Sequence, residues 1–370
     1  MTSRERLLNT IYRRPTDRVP ISLYELCQFE GSSYAWFANQ EPSYANLMKV
    51  MSEKTDCIMQ TEASIRYPEI EKITETETWR EGESSFCRTT LHTPKGNLTS
   101  LCRTDDNIFT TWTLEHFLKE PEDIEKYQSQ DFTCMVDNTH MLDDQQRVGE
   151  GGIICPSVRD PLCRGAELFA MEDFLVFALT EPEESKKFLD FLWELTRFEL
   201  QGMLKGNVQD VMFRIVGPEY ATPPYMSTAY YYDLVTCYIE KMVPMIPEAG
   251  AISRVHSHGK VRHALSEFAK TDLMCVDPVE PIPDGDISLA EVKKLYGDRM
   301  TILGNIELKE LENSSSERIE FLVKEAMDSA KQGGGFILMP TATPINIPLN
   351  PKTEQNIITM IEAGLYYGRY

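Results

Sequence analysis

The sequence has little positive charge and no long apolar run. Its 370 residues include 37 Lys and Arg against 58 Asp and Glu, which gives a formal net charge of -21. A surface this acidic repels nucleic-acid phosphates and anionic lipids, so neither nucleic acid nor a membrane is expected as a partner. No apolar run approaches the roughly 20 residues that a membrane-spanning helix needs. Residues 1–14 also lack an apolar stretch, so they predict an amphipathic helix and not a signal peptide.

Several local motifs are missing as well. The nine cysteines are an odd number and form no C-x-x-C pair, which argues against a disulfide framework and a zinc ribbon. Reduced thiols of this kind are typical of a cytoplasmic protein. The sequence contains no G-x-G-x-x-G, P-loop or G-x-S-x-G motif, so dinucleotide-binding, nucleotide-binding and serine-hydrolase functions lack support.

Short apolar runs alternate with longer helical stretches, which is the pattern of parallel strands joined by crossover helices. Strong helical examples are residues 180–204, 226–246, 289–296 and 315–332. Eight strand–helix units are what a closed (β/α)8 barrel requires, so we expect an α/β protein with a TIM-barrel fold and a single domain over residues 1–370. The predicted strands are residues 18–24, 56–61, 152–155, 211–216, 251–256, 273–277, 300–303 and 336–339.

One connection is longer than a single crossover needs. About ninety residues separate the second and third predicted strands. Within them, residues 79–112 alternate apolar and polar side chains around Pro94-Lys95-Gly96-Asn97. This pattern predicts a β-hairpin, placed in an insertion at about residues 66–115 that forms a lid or wall over the barrel mouth.

Polar side chains follow the predicted strands, at the end of the barrel where barrel enzymes place their active sites. Few of these residues are apolar, and most can ionise or form hydrogen bonds. In chain order they are Glu25, Arg159, Asp160, Glu219, Tyr220, His256, His258, Asp277, Glu280, Asn305, Thr341 and Thr343.

The motif His256-Ser257-His258-Gly259 is the most specific of these, because the chain has only six histidines. Residues two apart on a strand point to the same face, so both imidazoles should project to one point at the mouth. Two converging neutral imidazoles can bind zinc or a similar divalent metal. The alternative is that both rings are hydrogen-bonded to backbone or substrate without a metal.

A third ligand must come from another strand. We expect Glu280, because Pro278 and Pro281 stiffen its loop and fix the direction of the carboxylate. Two histidines and one carboxylate leave a coordination position open for substrate, as in catalytic zinc sites. Glu280 could instead be an exposed acid. Cys275 is the competing ligand, although a buried structural thiol is the commoner outcome at that depth.

Two further loops carry candidate groups. Glu219 and Tyr220 follow the fourth strand between Gly217-Pro218 and Pro223-Pro224, where Glu219 is a candidate acid–base and Tyr220 a candidate hydrogen-bond donor. Glu219 could equally cap the following helix. Asp160 precedes Pro161 and is expected to be a helix N-cap, whereas Arg159 either binds a substrate carboxylate or pairs with a nearby acid.

Several segments together resemble the uroporphyrinogen decarboxylase superfamily, in family order and over nearly the whole chain. They are residues 3–6, 15–20, 256–259, 277–286, 304–307 and 339–344. The resemblance implies a TIM barrel and one of two activities. One is porphyrinogen decarboxylation. The other is methyl transfer between small molecules and a cobalamin carried on a separate protein.

The resemblance favours the methyltransferases. The decarboxylase has an arginine-rich motif after its first strand that binds the substrate carboxylates, whereas this chain has Ser22-Leu23-Tyr24-Glu25-Leu26-Cys27 there. A polycarboxylate would meet Glu25 and a negative net charge at this position. A decarboxylase for another carboxylated substrate is the first alternative, to be judged by the arginines that line the pocket. A non-catalytic barrel that binds a small molecule is the second.

The methyltransferases commonly bind zinc through an H-x-C motif and a late cysteine. This chain has His258 in place of the first cysteine, and Thr341 to Thr343 where the second would be. Imidazoles and a carboxylate leave zinc more Lewis-acidic than thiolates do, which suits an ether leaving group. We therefore expect an O-demethylase-type methyltransferase, in which zinc is bound by His256, His258 and Glu280 and methyl passes from a small methoxylated or methylated donor to a corrinoid protein.

The remaining expected roles are set by position at the mouth. Glu219 and Tyr220 would be the catalytic acid–base groups. The substrate pocket would be lined by Tyr24, Glu25, Arg159 and Asn305.

Overall fold

A computed structural model describes residues 1–29 and 33–370. The strands within these residues are β1 (Cys57–Thr61), β2 (Ser64–Arg66), β3 (Thr74–Glu81), β4 (Ser84–Thr93), β5 (Gly96–Asp105), β6 (Ile108–Glu115), β7 (Met135–Asp137), β8 (Gly152–Arg159), β9 (Met212–Val216), β10 (Ile252–Ser257), β11 (Cys275–Pro278), β12 (Thr301–Ile306) and β13 (Phe336–Pro340).

The α-helices in the same residues are α1 (Ser3–Ile11), α2 (Ser33–Gln40), α3 (Ala45–Lys54), α4 (Pro68–Lys72), α5 (Asp123–Gln128), α6 (Thr139–Val148), α7 (Pro161–Leu168), α8 (Met171–Thr180), α9 (Pro182–Met203), α10 (Cys237–Glu248), α11 (Arg262–Phe268), α12 (Leu289–Tyr296), α13 (Leu308–Asn313), α14 (Ser316–Ala330) and α15 (Pro351–Tyr367). None of the helices in the described ranges is both long enough and apolar enough to cross a membrane.

The main sheet has seven strands in the order β1-β8-β9-β10-β11-β12-β13, and every neighbouring pair is parallel. With helices between most of these strands, this is an α/β fold like that of a TIM barrel. Seven of the eight predicted strands are confirmed to within a few residues.

The first predicted strand, residues 18–24, is wrong as a regular strand. Pro20 has no N–H to donate, so the segment cannot build a full ladder. It still hydrogen-bonds on both sides. Leu338 of β13 donates to Pro20 O and accepts from Ser22 N, both at 2.9 Å, while Asp56 N donates to Ile21 O at 2.6 Å. The segment therefore lies between the two edge strands of the sheet.

The inner face of the sheet changes from apolar to polar along the strands. Its lower layer is a buried cluster to which α1 contributes Leu7 and Ile11, as expected of an amphipathic helix. Because inward positions recur every two residues, the residues above Met212, Ile252 and Cys275 also point inward. That upper layer consists of Arg214, Arg254, His256 and Asp277.

Three of the four strong helix predictions are confirmed as α9, α12 and α14. The helix predicted over residues 226–246 is wrong at its start. A 3-10 turn (Thr228–Tyr230) and a π-helical turn (Tyr232–Thr236) precede α10. Tyr231 is buried while Tyr230 and Tyr232 are exposed. The packing of Tyr231 therefore determines the backbone conformation before α10 more than helix propensity does.

A four-stranded antiparallel sheet, in the order β3-β4-β5-β6, lies between β1 and β8 in the chain. Thr93 and Gly96 pair across the turn at Pro94 and Lys95, and the stretch expected to form a hairpin extends into all four strands. The sheet is attached to the loop after β13, where Phe109 N donates to Ile345 O at 2.8 Å.

Candidate active site

His256 and His258 lie side by side at the end of β10. The last strand residue is Ser257, so His258 begins the loop. Their ring centroids are 4.7 Å apart and the rings are nearly perpendicular, at 83°. The structure therefore brings together the two imidazoles that the i, i+2 spacing placed on one face.

Asp277 holds His256 from the neighbouring strand. Its Oδ2 accepts from His256 Nδ1 at 2.8 Å and from Arg254 Nη2 at 2.6 Å. Burial acts to raise the pKa of Asp277, but Arg254 and His256 outweigh it and hold the pKa well below its ordinary value. Burial lowers the pKa of His256 to about 4 against the pull of Asp277. His256 is therefore neutral near pH 7.

Tyr24 closes the other side of the His256 ring. Its hydroxyl accepts a hydrogen bond from Arg214 Nη1 at 2.7 Å and lies 3.4 Å from His256 Nε2. Because Arg214 can only donate, the Tyr24 proton points to His256 Nε2. This assigns the single ring proton of His256 to Nδ1, which donates to Asp277.

His258 is held by Glu280. The His258 Nδ1 and Glu280 Oε1 atoms are 2.7 Å apart, and Gly259 N donates to Glu280 Oε2 at 2.6 Å. Burial acts to lower the pKa of His258, but the hydrogen bond and charge of Glu280 raise it above its ordinary value. The reciprocal interaction lowers the pKa of Glu280 against the effect of burial. The pair thus favours an imidazolium next to a carboxylate.

The donor set fits a metal ion only in part. Each ring is bound at Nδ1 by a carboxylate, which is how metal-binding histidines are usually oriented to present Nε2. His256 and His258 could therefore supply two nitrogen ligands to a metal ion that displaces the Tyr24 hydroxyl from His256 Nε2 and the proton from His258 Nε2. Both oxygens of Glu280 are engaged by His258 and Gly259, so Glu280 orients a ring here and does not stand beside it as a ligand. Among residues 1–29 and 33–370, no group of three His, Cys, Asp or Glu side chains is arranged to hold a metal.

Glu219 and Tyr220 lie on a short 3-10 turn beside the pair (Pro218–Ala221). Burial raises the pKa of Glu219, and the charge of His258 counteracts this effect. Gly217 N donates to its Oε2 at 3.3 Å. Glu219 therefore binds the backbone N–H of the residue that precedes the turn, and it is a half-buried acid within electrostatic range of His258. The neighbouring Tyr220 is half-buried.

The other candidates are spread around the mouth. Glu25 accepts from Gln60 Nε2 at 3.2 Å and lies 3.5 Å from Arg214. Asn305 is buried at the end of β12, on the wall of a cavity of about 380 Å³. Arg159 instead points outward, with 57% of its side chain exposed, and pairs with Glu167 at 2.8 Å.

The remaining two loop predictions concern structure. Asp160 caps α7 by accepting from Cys163 N at 2.7 Å, as predicted. Cys275 is fully buried in the lower layer, where burial raises the pKa of its thiol to about 12. It is a structural thiol in this arrangement.

Three residues of the site were not expected from the sequence. Arg254 could have been found, since it stands two residues before His256 on the same strand face. Arg214 and Glu307 carry no such local pattern, and Asp277 was expected at the mouth but not as the partner of His256. Glu307 is buried after β12, where burial and the charge of Glu280 raise its pKa to about 7. It accepts from Thr341 Oγ1 at 3.2 Å.

The sequence profile of uroporphyrinogen decarboxylase (URO-D) matches residues 161–363, which is more than half of the chain. This chain belongs to the uroporphyrinogen decarboxylase family. The matched stretch contains His256, His258 and Glu280, so the family relationship covers the centre of the site. No curated protein matches the sequence.

Solved structures resemble this chain as well, and 38 of their chains match it. One is a methyltransferase from Methanosarcina mazei, with a TM-score of 0.62 and 15% sequence identity over 99% of each chain. At that identity, the likeness establishes the fold and nothing finer.

Proposed function

We propose that this chain is a methyltransferase that moves a methyl group from a small methoxylated or methylated donor to a corrinoid carried by a partner protein. The observation that carries the proposal is the His258–Glu280 pair at the mouth of the sheet. The family relationship and the methyltransferase from Methanosarcina mazei support the same class of reaction.

A methyl donor of this kind needs a proton on its leaving atom. When the bond between the methyl carbon and the oxygen or other heteroatom breaks, the bonding electrons stay on the heteroatom. An imidazolium at His258 can give that atom its Nε2 proton, which removes the charge that would otherwise develop. Glu280 orients the ring and favours its charged form, and Glu219 is a second half-buried acid within electrostatic range of His258.

Two groups outside this chain belong to the proposal. The corrinoid would supply the nucleophile that accepts the methyl group. Zinc would add Lewis acidity at the leaving atom, with His256 and His258 as the residues able to hold it. A proton and a metal ion compete for the same Nε2 atom of His258, so the steps assigned to this chain use the proton.

The two arginines on the inner face of the sheet, Arg214 and Arg254, favour a methyl donor that does not carry several carboxylates. Arg254 is bound through two nitrogens by Asp277, and Arg214 lies 3.5 Å from Glu25 and donates to Tyr24. Each inner guanidinium thus already has a carboxylate neighbour inside the protein. A polycarboxylate substrate would have to displace these partners, which makes the decarboxylase alternative less favourable.

The test is methyl transfer to free cob(I)alamin, with 2-methoxyphenol, methanol and dimethyl sulfide as separate donors. We expect loss of cob(I)alamin absorbance and stoichiometric demethylated product with at least one donor. His258→Ala should remove the activity, whereas His92→Ala should keep it, because His92 forms an exposed pair with Glu75 on the antiparallel sheet. Activity that survives His258→Ala would refute the role of the pair. A wild-type protein inactive with all donor classes would refute the function.

A further inference from the structure

The antiparallel sheet places two cysteines directly opposite each other. Cys87 of β4 and Cys102 of β5 are partners in the ladder that joins these two strands. Opposed residues of an antiparallel pair project from the same face of the sheet, so the two thiols are neighbours. The sheet that carries them contains none of the residues proposed for methyl transfer.

The spacing of such a pair suits a disulfide. In opposed antiparallel positions the Cα atoms are about 4.5–5.5 Å apart, which lies inside the range of about 4.4–6.8 Å that disulfides span. The Cβ atoms are about 4.5–5.5 Å apart, and in disulfides they come within about 4.5 Å. Closure therefore needs a movement of about 1 Å at most, which a small change in the twist of the two strands can supply.

Both cysteines are free thiols, and the polar contact of Cys102 is weak. Its Sγ lies 3.9 Å from Thr113 Oγ1 on β6, in a solvent-exposed position. A thiol is a weak donor and a weak acceptor, so the Cys102 side chain loses little when it turns to Cys87. This contact is therefore too weak to hold the Cys102 sulfur away from Cys87.

A cleft in the protein surface gives access to the pair. Its volume is about 660 Å³, and Cys87 and Cys102 both line it. Clefts of this size admit small organic molecules. Both cysteines are half-buried, whereas five of the other cysteines are buried. Those five are Cys27, Cys57, Cys155, Cys163 and Cys275. Cys87 and Cys102 are thus accessible thiols that the sheet also places in register.

We propose that Cys87 and Cys102 form a reversible disulfide by exchange with a low-molecular-weight disulfide, which makes the pair a modification site on the antiparallel sheet. The inference does not rest on the proposed function. Because closure draws two strands together at an exposed position, the bond is expected to be reduced easily by small thiols.

The exchange proceeds in two steps, with oxidised glutathione as the oxidant. The thiolate of one cysteine attacks a glutathione sulfur, so a mixed disulfide forms as the S–S bond of glutathione breaks. The thiolate of the other cysteine then attacks the protein sulfur of the mixed disulfide and releases the second glutathione. Two protein thiols are oxidised, one glutathione disulfide is reduced, and the two glutathione thiols carry the protons that the cysteines lost.

Peptide mapping of the folded full chain tests the proposal. The reduced protein is incubated with oxidised glutathione, its remaining thiols are alkylated, and it is digested with trypsin. Cleavage after Arg and Lys gives residues 81–88, whose one cysteine is Cys87, and residues 96–103, whose one cysteine is Cys102. We expect mass spectrometry to find these two peptides linked, in large excess over any other linked pair. Dithiothreitol should separate them.

Two variants show which thiols take part. Cys102→Ser leaves Cys87 without its partner, so residues 81–88 should carry glutathione and the linked peptides should disappear. Cys134→Ser is the matched control, because Cys134 is also half-buried but lies outside the strands, and it should leave the yield of linked peptides unchanged. Wild-type protein in which Cys87 and Cys102 stay reduced, each carry glutathione without a link, or join other cysteines instead would overturn the proposal.

Discussion

His258 and Glu280 form one hydrogen-bonded unit, with 2.7 Å between Nδ1 and Oε1. The other oxygen of Glu280 accepts from Gly259 N, so the carboxylate is fixed at both ends. The ring then has only Nε2 available for substrate, and a proton there is stabilised by the carboxylate behind it. Loss of this carboxylate should change the charge of the ring more than its position.

Replacement of Glu280 by glutamine should shift the pH dependence of methyl transfer. Glu280 raises the pKa of His258 above the ordinary 6.5, so in the wild type the imidazolium persists above that pH and is lost as pH rises through the raised value. Without the carboxylate, burial lowers the pKa, and the basic limb of the rate profile should move to lower pH. At about pH 8 we expect the rate to fall on the order of tenfold.

The measurement is the rate of methyl transfer between about pH 5 and 9. Glu75→Gln is the control, because it removes the carboxylate partner of the exposed His92. An unchanged profile in Glu280→Gln would show that His258 does not act as the acid.

Asp277→Asn should strongly destabilise the fold. Asp277 is completely buried and is the carboxylate partner of Arg254, so the variant leaves a buried guanidinium without its counter-charge. Breaking a buried pair in this way typically costs about 3–5 kcal/mol. Urea unfolding followed by circular dichroism measures the difference. Asp284→Asn removes the partner of exposed Lys309 and should cost less than about 1 kcal/mol. An equal loss of unfolding free energy in the two variants would contradict the role of Asp277 as the counter-charge of a buried guanidinium.

Zinc binding should depend on the two histidines more than on Glu280. Competition with a chromophoric chelator should show a site that His256→Ala or His258→Ala abolishes. Glu280→Gln should weaken it about 10- to 100-fold, as removal of an orienting carboxylate does. Zinc binding equal in the wild type and the His256→Ala/His258→Ala double variant would refute the metal proposal. Complete loss in Glu280→Gln would instead make Glu280 a ligand, as the sequence suggested.

Tyr24→Phe should lower kcat with little change in folding stability. The hydroxyl bridges Arg214 and His256, and its loss leaves the His256 ring without the contact that fixes Nε2 as an acceptor. We expect a decrease in kcat of about tenfold or more. Tyr12→Phe serves as the control. Its hydroxyl also bonds a side chain, but the partner is Asp210, which precedes β9 and so lies at the opposite end of that strand from the site. Equal activities of the two variants would show that the contact between Tyr24 and His256 has no part in catalysis.

The sequence by itself determined much of the fold. The alternation of apolar runs and helical stretches located seven strands and three helices, because periodicity and strand length are local properties. The sequence could not define the structure of residues 18–24, the first predicted strand. There Pro20 prevents a regular ladder, and the neighbouring strands supply the hydrogen bonds. It also placed the start of α10 too early, because the burial of Tyr231 depends on the rest of the protein.

At the site, the sequence alone determined that His256 and His258 share one face, since the period of a strand is two. Only the tertiary structure decided what each ring binds. The distance and direction between β10 and the loop after β11 make Glu280 the partner of His258 and place Asp277 behind His256. Those contacts depend on the register of two strands separated by a helix, which no local pattern encodes, and they decide the protonation of each imidazole.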